Sequence, residues 1–278
     1  MVRSIFSSVS FEKLYIILPF LECESSLAVN FLDKHKWFIN NGGFIVLKCG
    51  GKVNGAILNF LNTNTILLEY ADISLYSAWN QSLDYLKELN IDNNSYISFL
   101  GLDDTLCQNF CESVAKNMDK NIDFIYGDIY IRLGNRYRRR YAERTPLLFQ
   151  KKSKYVFDIF HPGMMNRWGL ISSFKFDQRY YLAADLDFYI RLSESHNITY
   201  LYIDGIQSIV GADGISNDVN AKEVYKKEWE MIEDKLSVEI VKKSNRMTIL
   251  SVISKNKTLY KLIRDLYWKV VAKRKFKC

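Results

Sequence analysis

Two adjacent aspartates, Asp103 and Asp104, directly follow the largely apolar run YISFLGL at residues 96–102. Neighbouring like charges repel, and neither a strand nor a helix requires them. Hard carboxylate oxygens in this position suit Mg²⁺ or Mn²⁺ bound together with a diphosphate, because these ions keep several waters and need few protein ligands. Asp72 stands in the same relation to the apolar run at residues 65–71. The alternative is that Asp103 and Asp104 only begin a turn and cap the next helix.

A second acidic pair, Asp185 and Asp187, lies in the segment YLAADLDFYIRL. On a helix their spacing directs the two side chains about 200° apart, so they do not form one site together. Asp185 follows two alanines and is the better candidate for a pocket, where its carboxylate could accept a proton from an incoming hydroxyl. Asp187 can pair with Arg191 one turn later. The alternative is that both are ordinary acids at a helix N-terminus.

The three histidines are the remaining candidates for proton transfer. His161, in the segment FHPGMMNR, precedes Pro-Gly and is therefore predicted to lie in a loop, from which it could reach a site. A purely structural role for this loop histidine is the alternative. His35 and His196 are predicted to lie on helix surfaces.

Apolar segments alternate with helical segments through the first hundred residues, and this alternation predicts a parallel sheet covered by helices on both faces. Ligands of such sheets gather at the carboxyl ends of the strands, where Asp72, Asp103 and Asp104 fall. Further along, Gly134-Asn135 predicts a hairpin, and a helix is predicted to begin near Ala184. The predicted strands span residues 13–22, 44–51, 65–71, 95–102 and 198–205, and the first predicted helices span residues 25–41 and 74–89.

The order of these segments resembles the family 2 glycosyltransferases, especially bacterial enzymes of O-antigen, capsule and exopolysaccharide assembly. The resemblance rests on EYADISLYSAWNQSL, YISFLGLDDTL, YGD, HPGMMNR, FDQRYYLAADLDFYIRL and GADGIS, and it covers about residues 12–216. It implies a GT-A fold, which is an α/β architecture, and inverting transfer of a sugar from a nucleotide donor, with UDP the expected nucleotide. The implied acceptor is a hydroxyl of a glycan or of a polyprenyl-diphosphate-linked oligosaccharide.

The resemblance also assigns roles to individual residues. Asp104 would bind Mn²⁺ or Mg²⁺, and Asp185 matches the position of the family's catalytic base. The other candidates are contacts to the nucleotide sugar, Asp72, Asn80 and Asp103, and contacts to the acceptor or the diphosphate, His161 and Arg191.

Three segments depart from the family pattern. The first strand ends in PFLECE in place of a motif with Thr and Tyr-Asn, and the second ends in KCGG, at residues 48–51, in place of an Asp-Gly motif. Ser77 and Gln81 replace an acidic and a basic residue of the family. These departures favour the alternative that the chain is a catalytically impaired GT-A-like scaffold or partner subunit bound to a membrane.

Composition limits the class of protein. The 278 residues are 48% hydrophobic, which is typical of a globular chain, and the five cysteines are irregularly spaced, which favours a reducing compartment over a disulfide framework. No apolar run approaches the length of a membrane span, and the N-terminus lacks the pattern of a secretory signal. The predicted location is therefore the cytoplasm.

The net charge of +7 is concentrated at the C-terminus, since residues 255–278 contain nine Lys or Arg and one acid. The rest of the chain is close to neutral, which argues against a nucleic-acid partner. We interpret residues 1–220 as the GT-A domain and residues 221–278 as a helical extension. The extension's basic, aromatic-rich stripe predicts peripheral contact with anionic lipid on the inner face of the cell membrane. A helix packed on the domain and a dimer contact are the alternatives, so an oligomer is left open.

A second basic stretch, at residues 136–154, lies between the predicted hairpin and the His161 loop. Its charge could attract the diphosphate of an acceptor. A solvated hairpin is the alternative.

Overall fold

The computed structural model describes residues 9–53, 55–150, 154–156, 159–212 and 221–241, together with residue 266. The predicted basic helix of the tail lies outside the described residues except for Leu266, and so does GADGIS beyond Gly211 and Ala212. Over the described ranges, no helix is both long and apolar enough to cross a membrane.

Strands and helices alternate along the first half of the chain, and strands predominate in the middle. The strands are β1 (Leu14–Phe20), β2 (Phe44–Cys49), β3 (Thr65–Glu69), β4 (Tyr96–Phe99), β5 (Thr105–Leu106), β6 (Phe124–Leu133), β7 (Arg136–Arg140), β8 (Lys154–Tyr155), β9 (Met164–Arg167), β10 (Tyr200–Gly211) and β11 (Glu239–Ile240). The α-helices are α1 (Ser25–Lys34), α2 (Lys36–Asn40), α3 (Gly55–Leu58), α4 (Leu75–Glu88), α5 (Gln108–Ala115), α6 (Trp168–Ile171), α7 (Ala184–Ser195) and α8 (Ala221–Leu236).

The large sheet has the strand order β3-β2-β1-β4-β9-β6-β10-β5, and β7 pairs with β6 outside this path. Strand β1 pairs in parallel with β2 and β4, β2 with β3, and β6 with β10. Strand β9 runs antiparallel between β4 and β6, while β8 and β11 form a separate small sheet. The predicted α/β architecture with a mostly parallel sheet is confirmed, and the carboxyl ends of β1 to β4 form one edge.

Local sequence accounts for several element boundaries. Ser74 caps α4, because its Oγ accepts a hydrogen bond from the backbone N–H of Ser77 at 3.1 Å. Gly134 has a φ of 56°, which a glycine adopts without strain, and it turns β6 into β7 as predicted. The helix predicted to begin near Ala184 is α7. The single helix predicted over residues 25–41 is instead two helices, which meet at His35.

Apolar side chains cover both faces of the sheet, as predicted. On one face β-strand residues pack with α4 and α7, through side chains such as Trp79 and Phe188. On the other face they pack with α1 and α5, through side chains such as Phe31 and Phe110. Helices α1 and α4 follow the carboxyl ends of β1 and β3, so their packing helps to fix the loops there.

Helix α8 lies beyond the predicted domain boundary at residue 220, yet it packs on the same body as α7. Ile232 is completely buried in the first apolar layer. Lys235 Nζ forms ion pairs with Asp177 at 2.9 Å and with Asp187 of α7 at 2.6 Å. Helix α8 therefore packs against the body formed by the preceding residues, and the predicted division at residue 220, with a helical extension after it, stays a prediction.

His35 is completely buried, so its predicted place on a helix surface is wrong. Its Nδ1 lies 2.9 Å from the Phe31 carbonyl oxygen and must donate, so the neutral Nε2 accepts from the Leu106 N–H at 3.0 Å. Burial lowers the pKa of His35 to about 4. The neutral ring therefore ties α1 to β5, which directly follows Asp103 and Asp104.

Acid should destabilise the fold through His35. The unfolded chain protonates this ring at about pH 6.5 and the folded chain only near pH 4, so the contribution is complete above pH 6.5 and is lost as the pH falls to about 4. We expect the free energy of unfolding to fall by roughly 3 kcal/mol across this window. Urea unfolding of wild type and of His35→Gln, which cannot titrate, isolates the effect. An equally large acid-dependent loss in His35→Gln would contradict it.

Candidate active site

Asp104 lies at the carboxyl edge of the sheet, in the loop after β4. Its side chain is 4% exposed, and Oδ2 accepts a hydrogen bond from the Gly101 N–H at 2.8 Å. The Asp104 N–H donates back to the Gly101 carbonyl at 3.1 Å, which closes a tight turn. Burial, together with the neighbouring Asp103 charge, raises the pKa of Asp104 to about 6, although the Gly101 N–H opposes the rise.

Asp103 is exposed, in contrast to its neighbour. Its backbone carbonyl accepts a hydrogen bond from Arg132 Nη2 at 3.2 Å. Its carboxylate rests against Gly211 at the end of β10, where a Cβ would overlap Oδ2. Only glycine fits at position 211 for that reason. The structure thus separates the two aspartates into a buried and a solvent-facing group, and their assignment to metal and to nucleotide sugar stays a prediction.

The pair fits a divalent cation that receives its remaining ligands from elsewhere. Among the described residues, neither carboxylate forms an ion pair with a basic side chain. The Lys34 ammonium donates to the Asp104 backbone carbonyl at 2.9 Å, so it attracts the buried carboxylate without pairing with it. In the described ranges, no group of three or more His, Cys, Asp and Glu side chains could hold a metal. Mg²⁺ and Mn²⁺ can be bound by one or two protein carboxylates when a diphosphate and water supply the other oxygen ligands.

Asp72, after β3, is held by a lysine that sequence reasoning overlooked. Lys48 of β2 is completely buried, and its Nζ donates to Asp72 Oδ2 at 2.8 Å. The same Nζ donates to the backbone carbonyls of Cys49 at 2.9 Å and Tyr70 at 2.6 Å. All three ammonium hydrogens are thereby used, as a buried ammonium requires. The KCGG segment, which lacks the expected acid, therefore contributes a buried cation that fixes the orientation of Asp72.

Asp185 lies in the first turn of α7 and meets His161. The distance between Asp185 Oδ2 and His161 Nδ1 is 3.3 Å, and both side chains are partly accessible. The His161 ring stands edge-on to Trp79 of α4, with 5.6 Å between ring centroids, which holds its orientation. His161 also lies near enough to Asp104 to act on it electrostatically. One loop histidine thus stands between the two carboxylates that the sequence singled out.

Asp187 projects from the opposite side of α7, as its helical spacing predicts. It is completely buried and receives Arg191 Nε at 2.7 Å and Lys235 Nζ at 2.6 Å. Arg191 Nη2 also donates to the Lys175 carbonyl at 2.6 Å. The structure therefore does not bring Arg191 to Asp185, and its predicted role as an acceptor or diphosphate contact has no support in this geometry.

No protein-family model matches this chain, and no curated protein matches it in sequence. Its fold is similar to crystal structures of S. aureus TarS. One TarS structure gives a TM-score of 0.53 at 15% identity, over 87% of this chain and 42% of that chain. TarS 1–349 gives 0.51 at 14% identity, over 87% of this chain and 70% of that chain. TarS 1–349 in complex with UDP-GlcNAc gives 0.51 at 14% identity, over 81% and 66%. The fold is GT-A.

The predicted contact Asn80 has a different place in this GT-A domain. Its Nδ2 donates to the Phe176 carbonyl at 2.8 Å, and its Oδ1 accepts from the Phe176 N–H at 2.9 Å. Both ends of the buried amide are thus engaged by one backbone residue. Asn80 ties α4 to the segment that leads into α7, so the geometry gives it a positioning role and no evident contact to a nucleotide sugar.

Glu228 of α8 caps the entry to α7, which no sequence motif indicated. Its carboxylate is buried and accepts hydrogen bonds from three consecutive backbone N–H groups, those of Tyr181 at 2.5 Å, Leu182 at 2.9 Å and Ala183 at 2.8 Å. These amides precede the first turn of α7 and would otherwise be orphaned. In this GT-A domain, a residue far along the chain therefore positions the helix that carries Asp185.

Removing the Glu228 carboxylate should destabilise the GT-A domain. We expect Glu228→Ala to lower the free energy of unfolding by about 3 kcal/mol, because three buried N–H groups lose their acceptor. Glu230→Ala is the matched control on the same helix, since Glu230 is exposed in a 3.9 Å pair with Lys226 and should change stability by less than about 0.5 kcal/mol. Urea unfolding measures both. Equal effects of the two substitutions would contradict the capping role.

Proposed function

We propose that this chain is an inverting, metal-dependent glycosyltransferase that moves a sugar, a hexose-type unit, from a UDP donor to a hydroxyl group. The observation that supports this most directly is the placement of the His161–Asp185 pair beside the buried Asp104 at the carboxyl edge of a GT-A sheet. Fold similarity to TarS, crystallised with UDP-GlcNAc, supports a nucleotide-sugar donor.

The donor half uses the residues after β2, β3 and β4. Asp72, held by Lys48, presents its carboxylate toward the nucleotide base or its neighbourhood, and Asp103 lies on the ribose side. Asp104 holds Mn²⁺ or Mg²⁺, which supplies positive charge to the departing diphosphate when bound. The carboxylate of Asp104 is available for this cation because it forms no ion pair with a side chain of the described residues.

The acceptor half uses the start of α7. Asp185 accepts the proton of an acceptor hydroxyl as that oxygen forms a bond to C1 of the sugar. The bond from C1 to the diphosphate oxygen breaks on the opposite side, which inverts the anomeric centre and releases UDP. His161 donates its Nδ1–H toward Asp185 and so orients the carboxylate, while Glu228 fixes the helix that carries it.

The acceptor we propose is a glycan or a polyprenyl-diphosphate-linked oligosaccharide of surface polysaccharide synthesis, of the O-antigen or capsule type. The predicted basic helix at residues 255–278 would hold the enzyme peripherally at the inner face of the membrane, next to such an acceptor. Vesicle flotation tests this part. Equal recovery of the full chain and of a chain ending at residue 254 on anionic vesicles would remove it.

A donor assay tests the proposed function. The purified chain is incubated with a panel of UDP-, GDP- and dTDP-sugars, beginning with UDP-GlcNAc, in Mn²⁺, Mg²⁺ or EDTA, and nucleotide binding and release are measured. We expect metal-dependent binding and release of UDP from at least one UDP-sugar. Absence of metal-dependent binding of any nucleotide would overturn the enzyme and leave the scaffold alternative, which the KCGG segment favours.

A further inference from the structure

A cleft of about 410 Å³ lies between the segment that follows β7 and the first half of β10. Its volume is within the range of small-ligand sites. The segment from Tyr141 to Thr145 forms one side, and Tyr202 and Asp204 form the other. None of the roles proposed above uses these side chains.

A buried acid holds the floor of the cleft in one arrangement. Asp128 of β6 is completely buried, and its Oδ2 receives Arg139 Nε at 2.8 Å and Arg139 Nη2 at 2.7 Å. Its Oδ1 receives the Ala142 N–H and the Tyr202 hydroxyl, each at 2.9 Å. Burial raises the pKa of Tyr202, so its hydroxyl stays protonated and continues to donate. Four charge-assisted hydrogen bonds therefore preorganise the floor before any ligand arrives.

The rim offers an aromatic face. The guanidinium of Arg139 covers one side of the Tyr141 ring, with its Cζ 4.9 Å from the ring centroid. Tyr141 is nevertheless 70% exposed, so the other face of the ring is open to solvent. Because a fixed guanidinium already holds this exposed ring in place, ligand binding would cost the ring little further conformational entropy. This is the kind of surface on which the apolar face of a sugar ring stacks.

The rim also offers polar groups that can exchange partners. Arg144 Nη2 and Asp204 Oδ1 are 2.6 Å apart, but the two side chains are 71% and 72% exposed. An ion pair at this exposure contributes little to stability, so both groups can turn to a ligand at small cost. Two neighbouring hydroxyl groups of a sugar could then be bound together: the guanidinium would donate hydrogen bonds to their oxygens, and the carboxylate would accept hydrogen bonds from their O–H groups.

The charge of the cleft argues against an anionic ligand. Its lining carries three carboxylates, of Asp128, Glu143 and Asp204, and two guanidinium groups, of Arg139 and Arg144. Both guanidinium groups already pair with a carboxylate. Although residues 136–154 are rich in basic residues, this cleft therefore does not concentrate positive charge, since its carboxylates outnumber its guanidinium groups.

We propose that this cleft binds a neutral sugar residue of the acceptor, beyond the unit that carries the reacting hydroxyl. The choice of a sugar rests on the proposed glycosyltransferase function. Contacts connect the cleft to the catalytic loop: Arg140, next to the floor residue Arg139, lies over the Phe160 ring with its Cζ 4.6 Å from the centroid, and Phe160 precedes His161. Tyr141, which would bind the acceptor, directly follows Arg140. The segment after β7 therefore contacts both the bound sugar and the loop that brings His161 to Asp185.

Saturation-transfer NMR with neutral methyl glycosides tests this site without a nucleotide or a metal. The probes are the methyl glycosides of glucose, galactose and N-acetylglucosamine, with wild type, Tyr141→Ala and Asp204→Ala. We expect at least one glycoside to bind wild type and each substitution to weaken its binding roughly tenfold, which is the scale of one aromatic contact or one bidentate polar contact. Tyr181→Ala is the matched control, because Tyr181 is also exposed, at 59%, and does not line the cleft.

The outcomes separate the two proposals. Binding lost in Tyr141→Ala and Asp204→Ala but kept in Tyr181→Ala supports the cleft as a sugar subsite. No binding of any of the three glycosides to wild type, or equal binding to wild type and both cleft variants, overturns it. UDP binding with Mn²⁺ is measured in parallel on the same samples. If wild type did not bind UDP in the presence of Mn²⁺, only the proposed donor chemistry would be overturned, since the glycoside experiment contains no nucleotide.

Discussion

Asp185→Asn is expected to reduce sugar transfer to an acceptor by about 10³-fold, the usual scale for removal of a general base. The asparagine keeps the size and one acceptor oxygen of the aspartate, so α7 should fold unchanged and His161 should keep a partner. Binding of UDP with Mn²⁺ should stay within about twofold of wild type, because Asp185 acts on the acceptor side. Transfer is measured by UDP release with and without acceptor, and nucleotide affinity by calorimetry.

Asp187→Asn is the matched control, two residues further along the same helix. Asp187 is buried between Arg191 and Lys235, so its neutralisation should lower the free energy of unfolding by about 3 kcal/mol while the remaining folded protein still transfers sugar. Asp185→Asn should leave stability nearly unchanged. If both substitutions abolished transfer without changing stability, Asp185 would not be distinguished as the base.

Asp104→Asn is expected to have opposite effects on function and on stability. The affinity for UDP in the presence of Mn²⁺ should fall by at least about a hundredfold, because the metal loses its buried ligand. The metal-free variant should be more stable than wild type at pH 8, by up to about 3 kcal/mol. The sign follows from the raised pKa of Asp104: ionisation costs the folded chain nothing below about pH 3.8, and its full cost is present above about pH 6.

The same carboxylate predicts how metal-dependent binding varies with pH. Below about pH 6 a proton competes with the cation for Asp104, so the apparent affinity for Mn²⁺ with UDP should fall up to tenfold for each unit of pH. Calorimetry from pH 5 to 8 measures this. Asp103→Asn is the comparison variant, since Asp103 is exposed and its loss should weaken binding less. A pH-independent affinity together with a destabilised Asp104→Asn would contradict the assignment of Asp104 to the metal.

Local periodicity was sufficient to predict much of this molecule. Alternation of apolar and helical segments predicted the parallel sheet, and a 100° step per residue separated Asp185 from Asp187 correctly. The Gly134-Asn135 hairpin was predicted from two residues alone. These features depend on neighbours within a few residues, which is the range over which sequence patterns carry structural information.

The misread residues depend on contacts between distant parts of the chain. His35 was predicted to lie on a helix surface because nothing near it in sequence buries it. Its ring accepts a hydrogen bond from the Leu106 N–H of β5, 71 residues later in the chain. Lys48 was overlooked within the KCGG segment, because only the pairing of β2 with β3 brings Asp72 beside it. Asn80 matched a family motif, but its amide is used by Phe176, 96 residues later.

The carboxylate of Glu228 couples two events that would otherwise be separate. While α8 is docked, the amide hydrogens of residues 181–183 are bonded to it and are shielded from exchange with solvent. When α8 leaves, these amides open together, and the helix that carries Asp185 loses its anchor at the same moment. Slow hydrogen exchange at these three residues would therefore report the attachment of α8, and displacement of α8 would remove one support of the helix that carries Asp185.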